Sequence, residues 1–532
     1  MLIDLRHDSD RDGEPEHAET LIVGSGAVGL TMALELARDG RQVILLEAGG
    51  RSVESESQAF FKSASWRDRE LSGLHLGRFR MLGGTTNFWG GQLLKFDHIV
   101  MQHRPWVADV AWPISREELD PYYARGYKLL GMEHLLADHS VWDRLNAAPP
   151  ATNAALEIFF SAWAPEPNLV TLFEKEIAAS RNVQVYLHAP AVALELDSIG
   201  TRVARVVVRT PRGTVRHFSG SRVILANGTI EIARLMKLPL ADGRPAPWSS
   251  NAWLGKGFLD HLDCRAGQVT PLDARRFHNA FDNAYLDGIK YMPRLKFTED
   301  IQRKRQTMNV AALFFFNSSF EEHLGNAMIF LRSLMRGRFQ KHRVPDPRAL
   351  LSVCRVAAPM LIRYIRYHRK SNPADRGIEL RLSCEQLPIP ESAIHLGETR
   401  DALGMPVVEM DWRVDGREID TMADFAQVVA DYLEQNELAT VRLDPALLAR
   451  DRKFLQKIED GYHQMGMARM ASTPDKGVVD RELRVFGTQN LHIAGAAVYP
   501  TTGFANPTFT AIALGLRLAD GIRTGRLDYS AA

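Results

Sequence analysis

Residues Thr20 to Gly50 read TLIVGSGAVGLTMALELARDGRQVILLEAGG, and no other stretch constrains the fold of this chain as tightly. The apolar run Leu21-Ile22-Val23 stops at Gly24-Ser25-Gly26-Ala27-Val28-Gly29. Leu30, Ala33, Leu34 and Ala37 then recur at helical spacing until Gly40, a helix stop. A second apolar run, Val43-Ile44-Leu45-Leu46, ends on Glu47. Strand, glycine turn, helix, strand and acid is the order of a dinucleotide-binding βαβ unit. Gly24 permits the tight turn, Gly26 lets backbone N–H groups approach a pyrophosphate, and Gly29 lets the helix lie close to the sheet. The helix N-terminus offers partial positive charge to the diphosphate. Glu47, about 20 residues beyond the turn, is placed to accept hydrogen bonds from a ribose 2′-hydroxyl, which disfavours a 2′-phosphate. NAD and the ADP half of FAD stay undistinguished by this stretch.

At 532 residues the chain exceeds one simple core, and two domains are expected. Lys and Arg total 65 against 64 Asp and Glu, a formal net charge of +1 that argues against bulk nucleic-acid binding. Cys264, Cys354 and Cys384 have no metal-ligand spacing; a sparse, odd set fits a reducing compartment without a disulfide framework. The opening residues MLIDLRHDSDRDGEPEHAE contain no apolar signal-peptide core. The apolar run 310–316 falls well short of the ~20 residues of a membrane span. A soluble cytoplasmic protein is the expectation.

Along the chain, residues 1–17 read as a flexible polar arm. Arg80 to Gln92, RMLGGTTNFWGGQ, suits neither helix nor strand; its glycines fit a backbone laid against a flat ligand. Ser115 followed by Glu118 forms a capping box that starts a helix. Val183 to Tyr186, Ala191 to Leu196 and Arg202 to Arg209 alternate as strands. Arg222 to Gly228 repeats the strand-to-glycine logic of the opening, with a helix from Glu231, and returns the chain to the nucleotide sheet. Ile378 to Asp411, turning at Asp401-Ala402-Leu403-Gly404, suggests a hairpin in a second sheet. Met422 to Leu433 and Pro445 to Lys457 look helical.

Between Met328 and Lys370 the bases Arg332, Arg336, Arg338, Lys341, Arg343, Arg348, Arg355, Arg363, Arg366, Arg369 and Lys370 meet one acid, Asp346. Leu331, Leu334, Met335, Val356, Leu361, Ile362 and Ile365 are interleaved at roughly helical spacing. Two readings stay open: a solvated helical face, or a basic amphipathic lid meeting an anionic substrate or an anionic membrane surface. Near the C-terminus, Leu491 to Ala494 is a strand ending on small residues. The last helix begins near Pro507, a favoured first helical position, with its N-terminus toward the far end of a dinucleotide. His463 and His492, taken singly, fit satisfied core histidines better than catalysts, His492 being on an apolar strand.

Together these segments resemble the glucose–methanol–choline (GMC) oxidoreductases, FAD-dependent enzymes that oxidise alcohols. The resemblance spans most of the chain and is carried, in order, by VGSGAVGL with Glu47, GGTTNFWGG, WPISREELDPYY, VILANGTIEIARLM, Asp260-His261, HQMGMARM, GVVD, LHIAGAAVYPTT and NPT. It implies FAD rather than NAD. It also implies an α/β fold, with a Rossmann-type FAD-binding domain from 18–110, 180–265 and 458–532. A discontinuous α+β substrate-binding domain, 111–179 and 266–457, is expected on a second, mainly antiparallel sheet, carrying the basic segment 328–370.

The resemblance further implies His463 and Asn506 as the catalytic pair, in a His/Asn branch of the family. Cofactor contacts are implied for Gly24, Gly26, Ala27, Gly29, Glu47, Ala48, Gly83, Gly84, Thr85, Asn87, Phe88, Trp89, Gly90, Val192, Ala226, Gly228, Gly495, Ala496, Pro507 and Thr508. Phe88 stands where several relatives bear a histidine bonded to the flavin, so non-covalent FAD is implied. Gly495 replaces an acid usual at that place, and residues 279–372 match no part of the family pattern.

Oxidising an alcohol removes an O–H proton and a carbon-bound hydride; neutral imidazole suits the first and flavin N5 the second. His463 is the candidate base, with Asn506 orienting the substrate oxygen, and His261 beside Asp260 suits local hydrogen bonding. The aromatic glycine-rich loop most resembles pyranose- and glycoside-oxidising members, so a secondary sugar hydroxyl is the expected substrate, and a steroid or aliphatic alcohol the alternative. Oxygen or another acceptor takes the electrons. An FAD-binding partner protein without turnover is the non-enzyme alternative, against which the catalytic pair argues.

Overall fold

The computed structural model describes residues 1–7, 16–320 and 347–527, without the side chains of 347–356. Among these residues the first sheet has eight strands. Glu16–Val23 lies at its centre because all of Leu21, Ile22 and Val23 are buried, as a strand covered on both faces requires. Val43–Leu46 pairs parallel to it on one side, followed by Val183–Leu187 and then Leu2–Asp4. On the other side Val215–Leu225 pairs parallel to it and passes to Leu491–Ile493 near its end. The start of Val215–Leu225 instead meets Val203–Arg209 antiparallel, and Ala191–Leu196 closes that edge. The helices Ala27–Arg38 and Pro507–Arg523 pack against one another, with Gly515 set against Val28 and Met32.

The second sheet has nine strands, and its pairings are antiparallel. It runs Ala439–Leu443, His261–Pro271, Ile378–Glu385, Val310–Phe316, Ile289–Phe297, Leu156–Trp163 and Gln92–Leu93, with Glu418–Gln435 as its long covering helix. A buried pair, Arg104 and Glu385, with nitrogen–oxygen distances of 2.6 and 2.7 Å, ties this sheet to the segment before the helix Arg116–Leu129.

The structure departs from the sequence expectation in definite places. Residues 1–17 are not simply an arm: Leu2–Asp4 is an edge strand, because Leu5 is buried and the amino terminus donates to the Val183 carbonyl at 2.7 Å. Residues 8–15 of that arm lie outside the described residues. Ile378–Glu385 is in the second sheet, but the hairpin Ala393–Arg400 and Pro406–Asp411 forms a third sheet with Ser65–Trp66. Gln92–Leu93, the start of His261–Pro271 and Glu459–Asp460 also belong to the second sheet, so the expected boundaries cut through its strands. The Ser115 hydroxyl does accept from the Glu118 N–H, but the Glu118 carboxylate turns to Arg481 and Arg517 instead of closing the capping box. Pro445–Lys457 is two short helical turns separated at Ala449–Asp451. Of the basic segment, 328–346 lies outside the described residues and Pro347–Tyr367 is one helix.

Candidate active site

A cavity of about 740 Å³ runs along the C-terminal ends of the parallel strands of the first sheet. This is where open α/β sheets bind nucleotides, because helix N-termini and strand-end loops converge there. Gly24, with φ of +100°, makes the turn into it; a Cβ there would lie 2.5 Å from the Asn227 Cα. At Gly29 a Cβ would lie 1.9 Å from the Gly24 carbonyl oxygen, so this glycine serves helix packing and stands away from the cavity wall. Gly26 opens the helix, and the backbone of Gly84 lies against it, 3.1 Å from the position of a Gly84 Cβ to the Gly26 Cα. The RMLGGTTNFWGGQ loop is thus pressed onto the glycine turn.

Gly26, Gly228 and Gly495 line the cavity, and a Cβ built on any of them would meet no atom within 4 Å. That is an open cradle of backbone which a flat, phosphate-bearing ligand can approach and a side chain would obstruct. Glu47 reaches the same wall from the end of its strand. It accepts from the Ser25 hydroxyl at 2.5 Å and from the Gly49 N–H at 2.8 Å, and burial pushes its carboxyl up. Gly24, Gly26, Ala27, Glu47, Ala48, Gly84, Thr85, Phe88, Trp89, Gly90, Ala226, Gly228, Gly495, Ala496, Pro507 and Thr508 all line this one cavity. The residues fit FAD as the ligand, with the glycine turn at the diphosphate and Glu47 at a ribose.

Gly83, Asn87 and Val192, also expected at the cofactor, are not on the cavity wall. Gly83 instead donates its N–H to the Ser25 hydroxyl at 3.2 Å, and Asn87 ties the loop together by donating to the Leu82 and Gly84 carbonyls. At Val192 the register shifts between Ala191 and Ala193, and Ala191 is the residue on the wall.

The far end of the cavity holds His463 and Asn506. His463 stands on the turn that joins Glu459–Asp460 to Met465–Gly466, and Asn506 is the N-cap of the last helix. The Asp260 carboxylate shapes that turn: one oxygen accepts the backbone N–H groups of His261, Gly461 and His463 at 2.7, 3.0 and 2.9 Å. Burial nevertheless drives the Asp260 carboxyl well above the usual carboxylate range, with Asp460 adding to the effect. The Asn506 amide nitrogen lies 3.2 Å from His463 Nε2, and His261 Nδ1 lies 3.1 Å from His463 Nδ1. An amide N–H directed at Nε2 assigns the lone pair to that nitrogen, so Nδ1 carries the proton and donates it to His261. Desolvation, and then the nearby Arg294 guanidinium, lower His463 to about 4. The ring is therefore neutral at neutral pH, the state a base needs. His261, expected to bond locally, has His463 itself as that partner. His492 is buried on its strand, away from the cavity.

Residues the sequence did not single out complete the wall. Arg78 lies just before the glycine-rich loop and Arg80 opens it, with Arg78 paired to Glu231 at 2.7 Å. Leu403 and Met405 reach in from the turn of the third-sheet hairpin, which Arg234 holds by pairing with Asp401 at 2.7 Å. Trp163 and Tyr462 also line the cavity, Tyr462 beside His463 in the chain. The charge run Arg78-Phe79-Arg80 was a usable signal; the hairpin turn, joined by a contact between distant segments, had none.

Fold and site together define an FAD-dependent oxidoreductase: a parallel nucleotide sheet, a glycine cradle and a neutral imidazole at one end of the cavity. Residues 19–253 match the model for FAD dependent oxidoreductases, and residues 388–515 the model for GMC oxidoreductases. The chain thus carries an FAD-dependent oxidoreductase domain followed by a segment similar to the GMC oxidoreductases, and it is an oxidoreductase of the kind that acts on alcohols. It is 23% identical to 2-methyl-1,2-propanediol dehydrogenase of Mycolicibacterium austroafricanum, over 95% of both chains. It is also 23% identical to paromamine 6'-oxidase of Streptomyces fradiae, over 95% of this chain and 91% of that one. A C-glycoside 3-oxidase of Microbacterium trichothecenolyticum is 28% identical over 22% of this chain and 21% of its own. Among solved structures, formate oxidase shares the fold with a TM-score of 0.56 at 16% identity, covering 97% of this chain and all of that one.

Proposed function

We propose that this enzyme oxidises a secondary hydroxyl of a sugar or glycoside to the carbonyl, with His463 as the base and Asn506 as the group that orients the substrate oxygen. The observation that carries the reading is the 3.2 Å contact between Asn506 and the lone-pair nitrogen of a neutral His463 inside the cofactor cavity. A hydroxyl bound there donates its proton to His463 Nε2 while the Asn506 amide donates to its oxygen. His261, accepting from Nδ1, keeps the ring in the tautomer whose lone pair is on Nε2, where an incoming hydroxyl takes the place of the Asn506 amide. Arg294 disfavours protonation of the ring before substrate arrives. FAD, when bound, supplies the acceptor for the carbon-bound hydride. General-base assistance of this kind is typically worth ~10²–10⁴-fold.

The choice of a glycoside over a simple alcohol is supported by the glycoside and paromamine oxidases among the relatives and by the Trp89, Trp163 and Tyr462 rings at the cavity, flat faces suited to sugar rings. The diol dehydrogenase supports the second reading, a small aliphatic alcohol. We take FAD to be held without a covalent bond, since Phe88 has no nucleophile and its ring stacks on Phe79 at 3.8 Å. The test is anaerobic bleaching of the flavin by a panel of sugars, glycosides and aliphatic diols, followed by air. Bleaching by glycosides at much lower concentration than by diols is expected; bleaching by diols alone overturns the sugar assignment. Acid precipitation should leave the pellet colourless.

A further inference from the structure

The C-terminal half of the helix Pro347–Tyr367, from residue 357 on, turns an apolar face outward. Surface helices of globular proteins bury their apolar stripe and present their charges to water. Here Ile365, Ile362 and Leu361 are 67%, 62% and 59% exposed, and Tyr364 and Tyr367 are about half exposed. The charge goes inward instead: Arg363 pairs with the fully buried Asp282 at 3.1 Å and donates to the His278 carbonyl and the Asn279 side chain. Just past the helix, Arg369 bonds the Asn279 carbonyl and lies over the Trp142 ring, fixing the helix to the second sheet. The outward apolar face is therefore a fixed surface, held from below by the Arg363–Asp282 pair and the Arg369 contacts. Contiguous exposed apolar residues of this kind mark sites of interaction.

The charges around that face select its partner. Arg363 and Arg369 are turned inward, which leaves Arg366 and Lys370 as the bases at the described end of the helix, and from Pro347 to Lys370 the sequence holds no acid. Arg366 is exposed beside Ile362 and Ile365, and Lys370 adjoins Lys290, which sits 4.0 Å over the Trp163 ring at the wall of the active-site cavity. A second copy of this face would bring like charges together with no acid on the helix to offset them. A surface that is apolar beneath and anionic above complements it. Among the described residues no helix is long and apolar enough to cross a membrane, so the helix would lie on the surface without spanning it.

We propose that Pro347–Tyr367 is a membrane-docking helix, which inserts Leu361, Ile362 and Ile365 into the interface of an anionic bilayer while Arg366 and Lys370 meet the lipid phosphates. Docking leaves the catalytic cavity unaltered and stands apart from the substrate assignment. The experiment is flotation of the FAD-loaded enzyme with phosphatidylcholine vesicles, with and without phosphatidylglycerol, at low and high salt, alongside sedimentation equilibrium without lipid. Binding to the phosphatidylglycerol vesicles alone, weakened by salt, is expected. Arg366→Gln with Lys370→Gln should lower partitioning about twenty- to thirtyfold, from two basic contacts. Leu361→Gln, Ile362→Gln and Ile365→Gln together should abolish it, with flavin content and turnover of a soluble substrate unchanged. The proposal fails if the enzyme ignores anionic vesicles, binds neutral ones as well, or binds undiminished after these substitutions. It fails equally if the triple variant only converts a dimer to a monomer, which would make the face a contact between copies.

Discussion

At the scale of single residues, burial sets the chemistry of the histidines. With His463 lowered to about 4, protonation removes the base only in strong acid. The acid limb of kcat/KM for an uncharged substrate should therefore fall near pH 4; a limb near the ordinary histidine value of about 6.5 would show that another group or a solvated ring is titrating. His492 gives a structural counterpart. Burial, with Arg222 and Arg484 nearby, lowers it to about 3, and neither ring nitrogen has a hydrogen-bond partner among the described residues. The unfolded chain binds this proton from about pH 6.5 downward and the native chain does not, so the group costs stability as pH falls through that value. Between pH 7 and pH 5 the loss from this residue is about 2 kcal/mol. Unfolding of wild type and His492→Asn at both pH values should show the variant's acid loss smaller by that amount. Equal losses would mean that the native ring takes the proton.

At the scale of elements, the three glycines of the first turn separate folding from binding. Gly26→Ala adds a methyl group to open space, so the apo-protein should keep its unfolding midpoint. FAD affinity should fall by roughly ten- to a hundredfold, the worth of about 1–3 kcal/mol of overlap at a close approach. Gly29→Ala drives a Cβ into the Gly24 carbonyl and should lower stability itself. Fluorescence titration with FAD and thermal unfolding of the apo-protein distinguish the two; equal unfolding midpoints for both variants would contradict this division. This unit was legible in the sequence because its signals are local: a glycine turn, a helical period and a strand ending on Glu47. The same holds for Val215–Leu225 and its following Gly228. Gly83, Asn87 and Val192 lie off the cavity wall because a motif shows which segment meets a ligand, whereas the direction of each residue within a loop or bulged strand depends on packing. The wall supplied by Leu403 and Met405 was invisible for a related reason. Its hairpin is held at the cavity by contacts between segments far apart in the chain, among them the Arg234–Asp401 pair and the Arg209 bond to the Leu403 carbonyl. The edge strand Leu2–Asp4 was hidden in a charged N-terminus whose few apolar residues make sense only beside Val183–Leu187.

At the scale of the whole molecule, the two large sheets form one working unit because the proposed catalytic pair and its neighbour His261 are drawn from both. His261 opens a strand of the second sheet, Asn506 caps a helix of the first, and His463 lies between them. The Arg104–Glu385 pair secures this junction, with Glu385 also accepting the Asn309 N–H at 3.0 Å. Glu385→Ala leaves a buried guanidinium without its partner and should cost about 3–5 kcal/mol in denaturant unfolding. Arg104→Met with Glu385→Met should recover much of that loss, and a cost as large in the double variant would show that shape rather than charge holds the junction. The central claim is that His463 takes the substrate proton in a cavity whose FAD is bound independently of it. Stopped-flow reduction of the flavin, wild type against His463→Ala under saturating substrate without oxygen, tests it most directly. The variant should keep its full flavin content and spectrum while the reduction rate falls at least about a hundredfold. Reduction at the wild-type rate would contradict the account.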